Sequence, residues 1–169
     1  TGTPTTFSDA SSVGGTSITN WNWSFGDGIQ SLQQNPSHLY ATAGNYTVNL
    51  TVTSLTGCSA TYTSTISVNP LPVVAFNTND ACVNTSIVFT NQSTVPNGNI
   101  SGYEWSFGDG TTSTQINPTH LYTTAGTFTV QLMVTTAGGC QNTINQLINI
   151  FPAPNATATT NNVCQGTPQ

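Results

Sequence analysis

The sequence predicts an all-β protein built from two tandem β-sandwich units. Three observations predict it. The hexapeptide WSFGDG stands at 23–28 and again at 105–110, and a shift of 82 residues overlays the chain on itself without a gap from that motif onward. Apolar residues alternate with polar ones, the signature of strands with one buried face. Gly, Asn, Asp and Pro interrupt these runs at short intervals, as expected of a sandwich, and no stretch carries a helical period.

Taken in order, the repeat sets Trp23 on Trp105 and Asp27 on Asp109. It sets Asn35-Pro36 on Asn117-Pro118, and His38-Leu39-Tyr40 on His120-Leu121-Tyr122. Cys58 falls on Cys140 and Cys82 on Cys164. In 127–134 (TFTVQLMV), Phe128, Val130, Leu132 and Val134 share one face; Tyr46, Val48, Leu50 and Val52 do the same in the first copy. Ile87 and Phe89 form a shorter alternating run, and 61–68 and 143–150 are further β-rich stretches. The run 73–79 (VVAFNTN) reads as the first strand of the second unit; its counterpart in the first would precede Thr1. The run 155–163 (NATATTNNV) reads as the first strand of a third unit, or as a strand donated to another subunit. The expected organisation is therefore a first domain at 1–70 without its first strand, a complete second domain at 71–152, and a following strand at 153–169. The chain opens mid-pattern, with neither initiator Met nor signal peptide, so it reads as a piece of a longer or processed protein.

Composition narrows the function. The chain has no Lys or Arg, and its acids are Asp9, Asp27, Asp80, Glu104 and Asp109; charged residues make up 3%, against about a quarter in ordinary domains. Without cations it cannot neutralise phosphates, which excludes nucleic acid and anionic membrane surfaces. It also removes the clamp that phosphate-handling enzymes need. No apolar run approaches the roughly 20 residues of a membrane span. Proteases that cut after Lys or Arg find no site, which fits either compositional drift or selection for survival outside a cell. Four cysteines fit an oxidising, extracellular setting.

The order W-S-F-G-D-G, then N-P-x-H-x-Y, then G-x-[YF]-T-V-x-L-x-V-T resembles the PKD (polycystic kidney disease) repeat over nearly the whole chain and in both copies. The resemblance implies tandem immunoglobulin-like β-sandwiches. The added cysteines look like those of PKD variants in secreted or cell-surface repeat proteins of Bacteroidetes-type bacteria. It further implies a modular, non-catalytic, extracellular or cell-surface role.

Each marked residue has a structural reading. Asp27 and Asp109 lie between glycines, where the chain can turn tightly and a carboxylate can accept backbone N–H groups. A catalytic role would need a second acid or base, and none is near in sequence. Trp23 and Trp105 are expected as core tryptophans of the third strand. His38 and His120 are expected to make a structural hydrogen bond near Tyr40 and Tyr122; one His per unit supplies no metal site. Asp9, and Asp80 with neighbouring Asn, are candidates for a weak calcium site, with no other cofactor expected. Trp21, with Tyr103 at its partner position, is the candidate surface aromatic for ligand contact. Sequons at Asn22, Asn45, Asn49, Asn84, Asn91, Asn99 and Asn155 match N-x-[ST], as chance allows in so Asn- and Thr-rich a chain.

The immunoglobulin-like topology also bears on Cys58, Cys82, Cys140 and Cys164. It puts Cys82 and Cys140 at opposite poles of one sandwich. Two pairings stay open: a staple between adjoining units, or a bond inside each unit allowed by a bent first strand. The junctions, 69–72 (NPLP) and 151–154 (FPAP), are extended, semi-rigid Pro-x-Pro spacers.

The expected function is a structural or adhesive segment of a long extracellular filament or adhesin stalk: a stiff, protease-resistant spacer. Its partners would be neighbouring repeats or identical subunits in a head-to-tail array, with surface glycans as a further partner. The alternative is an accessory polysaccharide- or protein-binding module of a secreted hydrolase. With no nucleophile–base pair, paired carboxylates or metal cluster, an enzyme is not expected.

Overall fold

The computed structural model describes residues 2–160, and its regular elements are all strands. The first unit contains β1 (Thr5–Thr6), β2 (Ile18–Ser24), β3 (Gln30–Ser31), β4 (Ser37–His38), β5 (Gly44–Ser54) and β6 (Ser59–Val68). The second contains β7 (Phe76–Asn77), β8 (Ala81–Cys82), β9 (Ser86–Val88), β10 (Thr90–Asn91), β11 (Ile100–Ser106), β12 (Thr112–Ser113), β13 (Thr119–Leu121), β14 (Gly126–Thr136) and β15 (Gln141–Phe151).

Each unit is a two-layer sandwich. In the second, the sheet β12-β11-β14-β15-β8 is faced by the short pairs β7–β10 and β9–β13. In the first, the sheet β3-β2-β5-β6 is faced by β1–β4. The copies agree in register. Trp23 lies opposite Leu50 and Trp105 opposite Leu132, and both tryptophan strands shift register at the same place, between Ile18 and Asn20 and between Ile100 and Gly102. The alternation read from sequence explains the layers: Val130, Leu132 and Val134 point into the core while their neighbours face out.

The cores are separate. One gathers Trp23, Phe25, Tyr40, Val48 and Leu50. The other gathers Trp105, Phe107, Tyr122, three β14 side chains and two from β15, sealed by Val74, Phe76, Ile87 and Phe89.

One expectation is corrected. The run 73–79 is not one continuous strand: it forms a single bridge, Val73 to Thr94, and the short β7. Of 155–163, residues 155–160 are exposed and pair with no strand within this chain, and the rest lie outside the described residues.

The in-unit disulfide is also corrected. Cys140 stands immediately ahead of the 11-residue β15, and Cys82 pairs with Phe151 at its far end. At ~3.3 Å per residue the whole strand holds them more than about 30 Å apart, against a Cα limit near 7 Å. Cys58, Cys82 and Cys140 carry free thiols in the described structure; Cys164 lies outside it.

Candidate functional site

The repeated hexapeptide builds the same clamp twice. In the first copy Phe25 N–H donates to the Ile29 carbonyl at 3.1 Å, closing a loop through Gly26 and Gly28, both at positive φ. In the second, Phe107 donates to Thr111 at 3.1 Å across Gly108 and Gly110. Gly26 and Gly108 are required twice over. Besides their left-handed backbone, a Cβ on either would lie 2.6 Å from the carbonyl oxygen of Thr47 or Thr129 on the long neighbouring strand.

The aspartate between the glycines faces two ways. One Asp27 oxygen accepts Ile29 N–H at 3.1 Å; the other lies 2.6 Å from His38 Nε2. Asp109 accepts Thr111 N–H at 3.0 Å and its hydroxyl at 2.6 Å, and meets His120 Nε2 at 2.7 Å. Each imidazole stacks flat on the motif's phenylalanine, Phe25 or Phe107, at 4.2 Å. Each also takes Tyr40 or Tyr122 edge-on at 4.6 or 4.5 Å. The tyrosine hydroxyls reach back to the same phenylalanines, Tyr40 to the Phe25 carbonyl at 3.0 Å and Tyr122 to that of Phe107 at 2.8 Å. Each histidine thus makes its structural hydrogen bond beside the tyrosine, and the partner, which the sequence reading did not name, is the aspartate eleven residues earlier.

Electrostatics follow from this geometry. Burial works to raise the Asp27 carboxyl, but hydrogen bonds from His38 and the Ile29 backbone outweigh it and hold it below the usual range. Burial likewise opposes the lowering at Asp109, where Thr111 and then His120 prevail. Burial pushes both phenols up, with the adjacent aspartate adding to the effect.

A carboxylate against an imidazole resembles part of a hydrolytic triad, but the wiring differs. A relay needs the acid on one ring nitrogen and the nucleophile on the other. Here Thr111 Oγ lies 3.4 Å from His120 Nε2, the nitrogen already engaged by Asp109. In the first copy the position holds Ile29, which has no hydroxyl. The arrangement fastens a turn to a strand and leaves no group poised to attack. Among the described residues no three His, Cys, Asp or Glu side chains converge on a metal position.

The other candidates are also engaged. Asp9 accepts the Trp21 indole N–H at 2.6 Å and the Gln34 amide at 3.2 Å. Partial burial acts to raise this carboxyl, yet hydrogen bonds from Ser11, Trp21 and Gln34 hold it at about 2. Trp21 is therefore half-buried and tethered, and Tyr103 packs on the second core. Neither is the free surface aromatic the sequence suggested. Asp80 accepts the Asn149 backbone N–H at 2.7 Å and its side-chain amide at 3.3 Å, tying β8 to β15. The sequence reading missed Tyr62, an exposed aromatic beside a groove of about 590 Å³ over the first core, bordered by Phe7, Trp23, Leu50 and Ile66.

A second feature lies between the units. Asn69 donates to the Gly138 carbonyl at 3.3 Å, and Asn142 donates to the carbonyl of buried Pro72 at 2.9 Å. Cys140 Sγ lies 3.7 Å from the Asn69 carbonyl oxygen. The β14–β15 hairpin of the second unit is thus seated on the spacer that leaves the first.

The family model for the PKD domain matches residues 1–70 and again 67–150. The chain belongs to the PKD domain family. Its PKD units are 50% identical over 58 residues to collagenase ColA of Bacillus cereus, covering 34% of this chain and 6% of that protein. They are 44% identical over 71 residues to the pre-pro-metalloprotease PrtV of Vibrio cholerae, covering 42% of this chain and 8% of that protein. The chain therefore spans less than a tenth of the length of these relatives. Among solved structures, the PKD1 domain of Vibrio anguillarum Epp is 32% identical and aligns over 50% of this chain and 99% of its own, with a TM-score of 0.48.

Proposed function

We propose that this pair of PKD units belongs to the accessory, non-catalytic region of an exported bacterial hydrolase, where it spaces and orients other modules outside the cell. The observation that carries the reading is the 44–50% identity to segments of a collagenase and a metalloprotease. The geometry supports a scaffold: both His–Asp pairs are consumed in fastening turns, and Trp21 and Tyr103 pack inward. The test is to isolate the native full-length protein, assay it on gelatin and casein, and compare residues 1–169 alone. The reading expects hydrolysis by the full protein and none by the pair. A full-length protein made only of further repeats and without hydrolytic activity would overturn it.

A second reading, a stalk of a surface adhesin or filament, is favoured by the contacts between Asn69, Pro72 and the second unit's hairpin. A source in Bacteroidetes-type bacteria rests on the cysteines alone. Electron microscopy of the native assembly separates the readings, since a stalk shows a long continuous run of units.

A further inference from the structure

We propose that the first unit of one molecule accepts an added strand, residues 155–160, from a second copy of this chain, so that copies join head to tail. The acceptor is the groove over the first core together with the backbone edge at 8–12. The inference stands whether the parent is a hydrolase or a stalk.

The second unit shows how such a strand is held. There the segment 73–77 runs antiparallel to 90–94. Val73 N–H donates to the Thr94 carbonyl at 2.8 Å, Thr94 N–H donates back at 2.9 Å, and Gln92 N–H donates to the Ala75 carbonyl at 2.8 Å. Phe76 and Asn77 pair with Asn91 and Thr90. The Ser93 hydroxyl lies 3.2 Å from both the amide nitrogen and the carbonyl oxygen of Ala75. Val74 and Phe76 pack into the core.

The first unit carries the same edge. The 82-residue shift sets 8–12 on 90–94, with Ser11 on Ser93. The two stretches are anchored alike. Asp9 N–H donates to Asn35 Oδ1 and Ser11 N–H to Asp9 Oδ1, as Asn91 does to Asn117 and Ser93 to Asn91. Among the described residues no backbone group pairs with Ala10 or Ser12. Beside this edge lies the groove of about 590 Å³ bordered by Phe7, Trp23, Leu50 and Ile66. Phe7 is only half-buried there, whereas its counterpart Phe89 is fully buried. A free edge beside an apolar groove is the geometry of strand addition.

The donor follows from the same phase. The shift sets 73–78 on 155–160, so Ala156 and Ala158 take the inward positions of Val74 and Phe76. Pro152 and Pro154 precede the segment as Pro70 and Pro72 precede 73–77. Residues 155–160 are exposed and pair with no strand within this chain. Their small side chains suit this acceptor. Tyr62, at the lip of the groove, stands where the second unit has Ile144, so the wall supplies bulk that the inserted strand lacks.

The donor comes from another molecule because it cannot reach its own first unit. From Phe151 to Ala156 the chain spans at most about 18 Å. The near end of β15 touches the spacer, through Asn142 and Pro72, and Phe151 is at the far end of its 11 residues, ~3.3 Å apart along the strand. Donor and acceptor therefore stand at opposite ends of the chain, and the contact propagates instead of closing on itself. Thr56 and Ala60 stand where the second unit has Gly138 and Asn142, so the hairpin contacts of the internal junction are not repeated between copies. The inserted strand alone holds them.

The test uses residues 1–169 under reducing conditions, which remove disulfide-linked species. Sedimentation velocity at rising concentration should show species larger than a monomer, reversed on dilution. A synthetic peptide of residues 153–160 should cap them and return the chain to monomers. Amide exchange gives the local readout. Ala10 and Ser12 N–H groups donate to the Thr157 and Asn155 carbonyls in this arrangement. They should exchange about tenfold more slowly with the peptide at about ten times its dissociation constant, while 90–94 stay unchanged. Ala158→Asp should abolish self-association by placing an unpaired charge in the groove, with native tryptophan emission kept. The proposal is overturned by a chain that stays monomeric at millimolar concentration, or by association that survives Ala158→Asp. Ala10 and Ser12 left unprotected by the peptide, or protected by a peptide of residues 71–78 and not by 153–160, overturn it equally.

Discussion

The two units share a motif, a register and a clamp, yet they do not seal their cores equally. Trp105 is 0% exposed and Trp23 6%; Leu132 is 0% and Leu50 5%; Tyr122 is 1% and Tyr40 8%. The second unit lays Val74 and Phe76 across its tryptophan, with the Phe76 ring 5.0 Å from that of Trp105. The matching face of the first unit is the groove beside Tyr62. The repeated motif builds the same turn in both units, and in the second Val74 and Phe76 add a cover over the tryptophan. Burying one such side chain contributes about 1.5–3 kcal/mol.

The comparison can be broken in several ways. The largest effect is expected from Phe76→Ala, which removes the covering ring and leaves a cavity costing about 3–5 kcal/mol. Amide exchange should accelerate in β11 and β14 and stay unchanged in β2 and β5. Next come Gly26→Ala and Gly108→Ala. Each forces a Cβ to 2.6 Å from a backbone oxygen at positive φ, with an expected loss of about 2–4 kcal/mol from strain and overpacking. Because the clamps match, denaturant titration should give nearly equal losses; a large difference would show that the turns are not equivalent. Tyr122→Phe should cost about 1–1.5 kcal/mol by leaving the buried Phe107 carbonyl unpaired. Tyr40→Phe should cost less, since water reaches that site more easily.

The smallest effect is in pH dependence, and it sharpens the contrast. Asp9, Asp27 and Asp109 are all held below the ordinary 3.8. A lowered carboxyl favours the folded state above its unfolded value, and that contribution is lost as pH falls through the folded value. For Asp9 the loss spans roughly pH 4 to 2. The first unit holds two such groups and the second one, because Asn91 stands where the first has Asp9. Acid titration followed by unit-resolved amide signals should show the first unit weakening more between those values, and Asp9→Asn should bring it level with the second.

The long strands were legible because period-two alternation is local: β5, β6, β14 and β15 enclose the runs read from sequence. The His–Asp pairs were not, because their contact joins a turn to a separate short strand. Their one trace was the constant spacing of eleven from Asp27 to His38 and from Asp109 to His120. Trp21 was misread because it lacks a counterpart. The informative signal was that positions 9 and 21 change together, Asp with Trp in the first copy and Asn with Tyr in the second. The run 73–79 looks like one strand by composition, but the Ser93 side chain enters the ladder at Ala75, so the pairing divides into the Val73 bridge and the two residues of β7.

The central claim is that one building block is used twice, with a separate core in each copy. Native-state hydrogen exchange on the 169-residue chain tests it most directly. The account predicts two levels of protection, with β11, β14 and β15 above β2, β5 and β6. A single level shared by both sets of strands, moving together under Phe76→Ala, would contradict it.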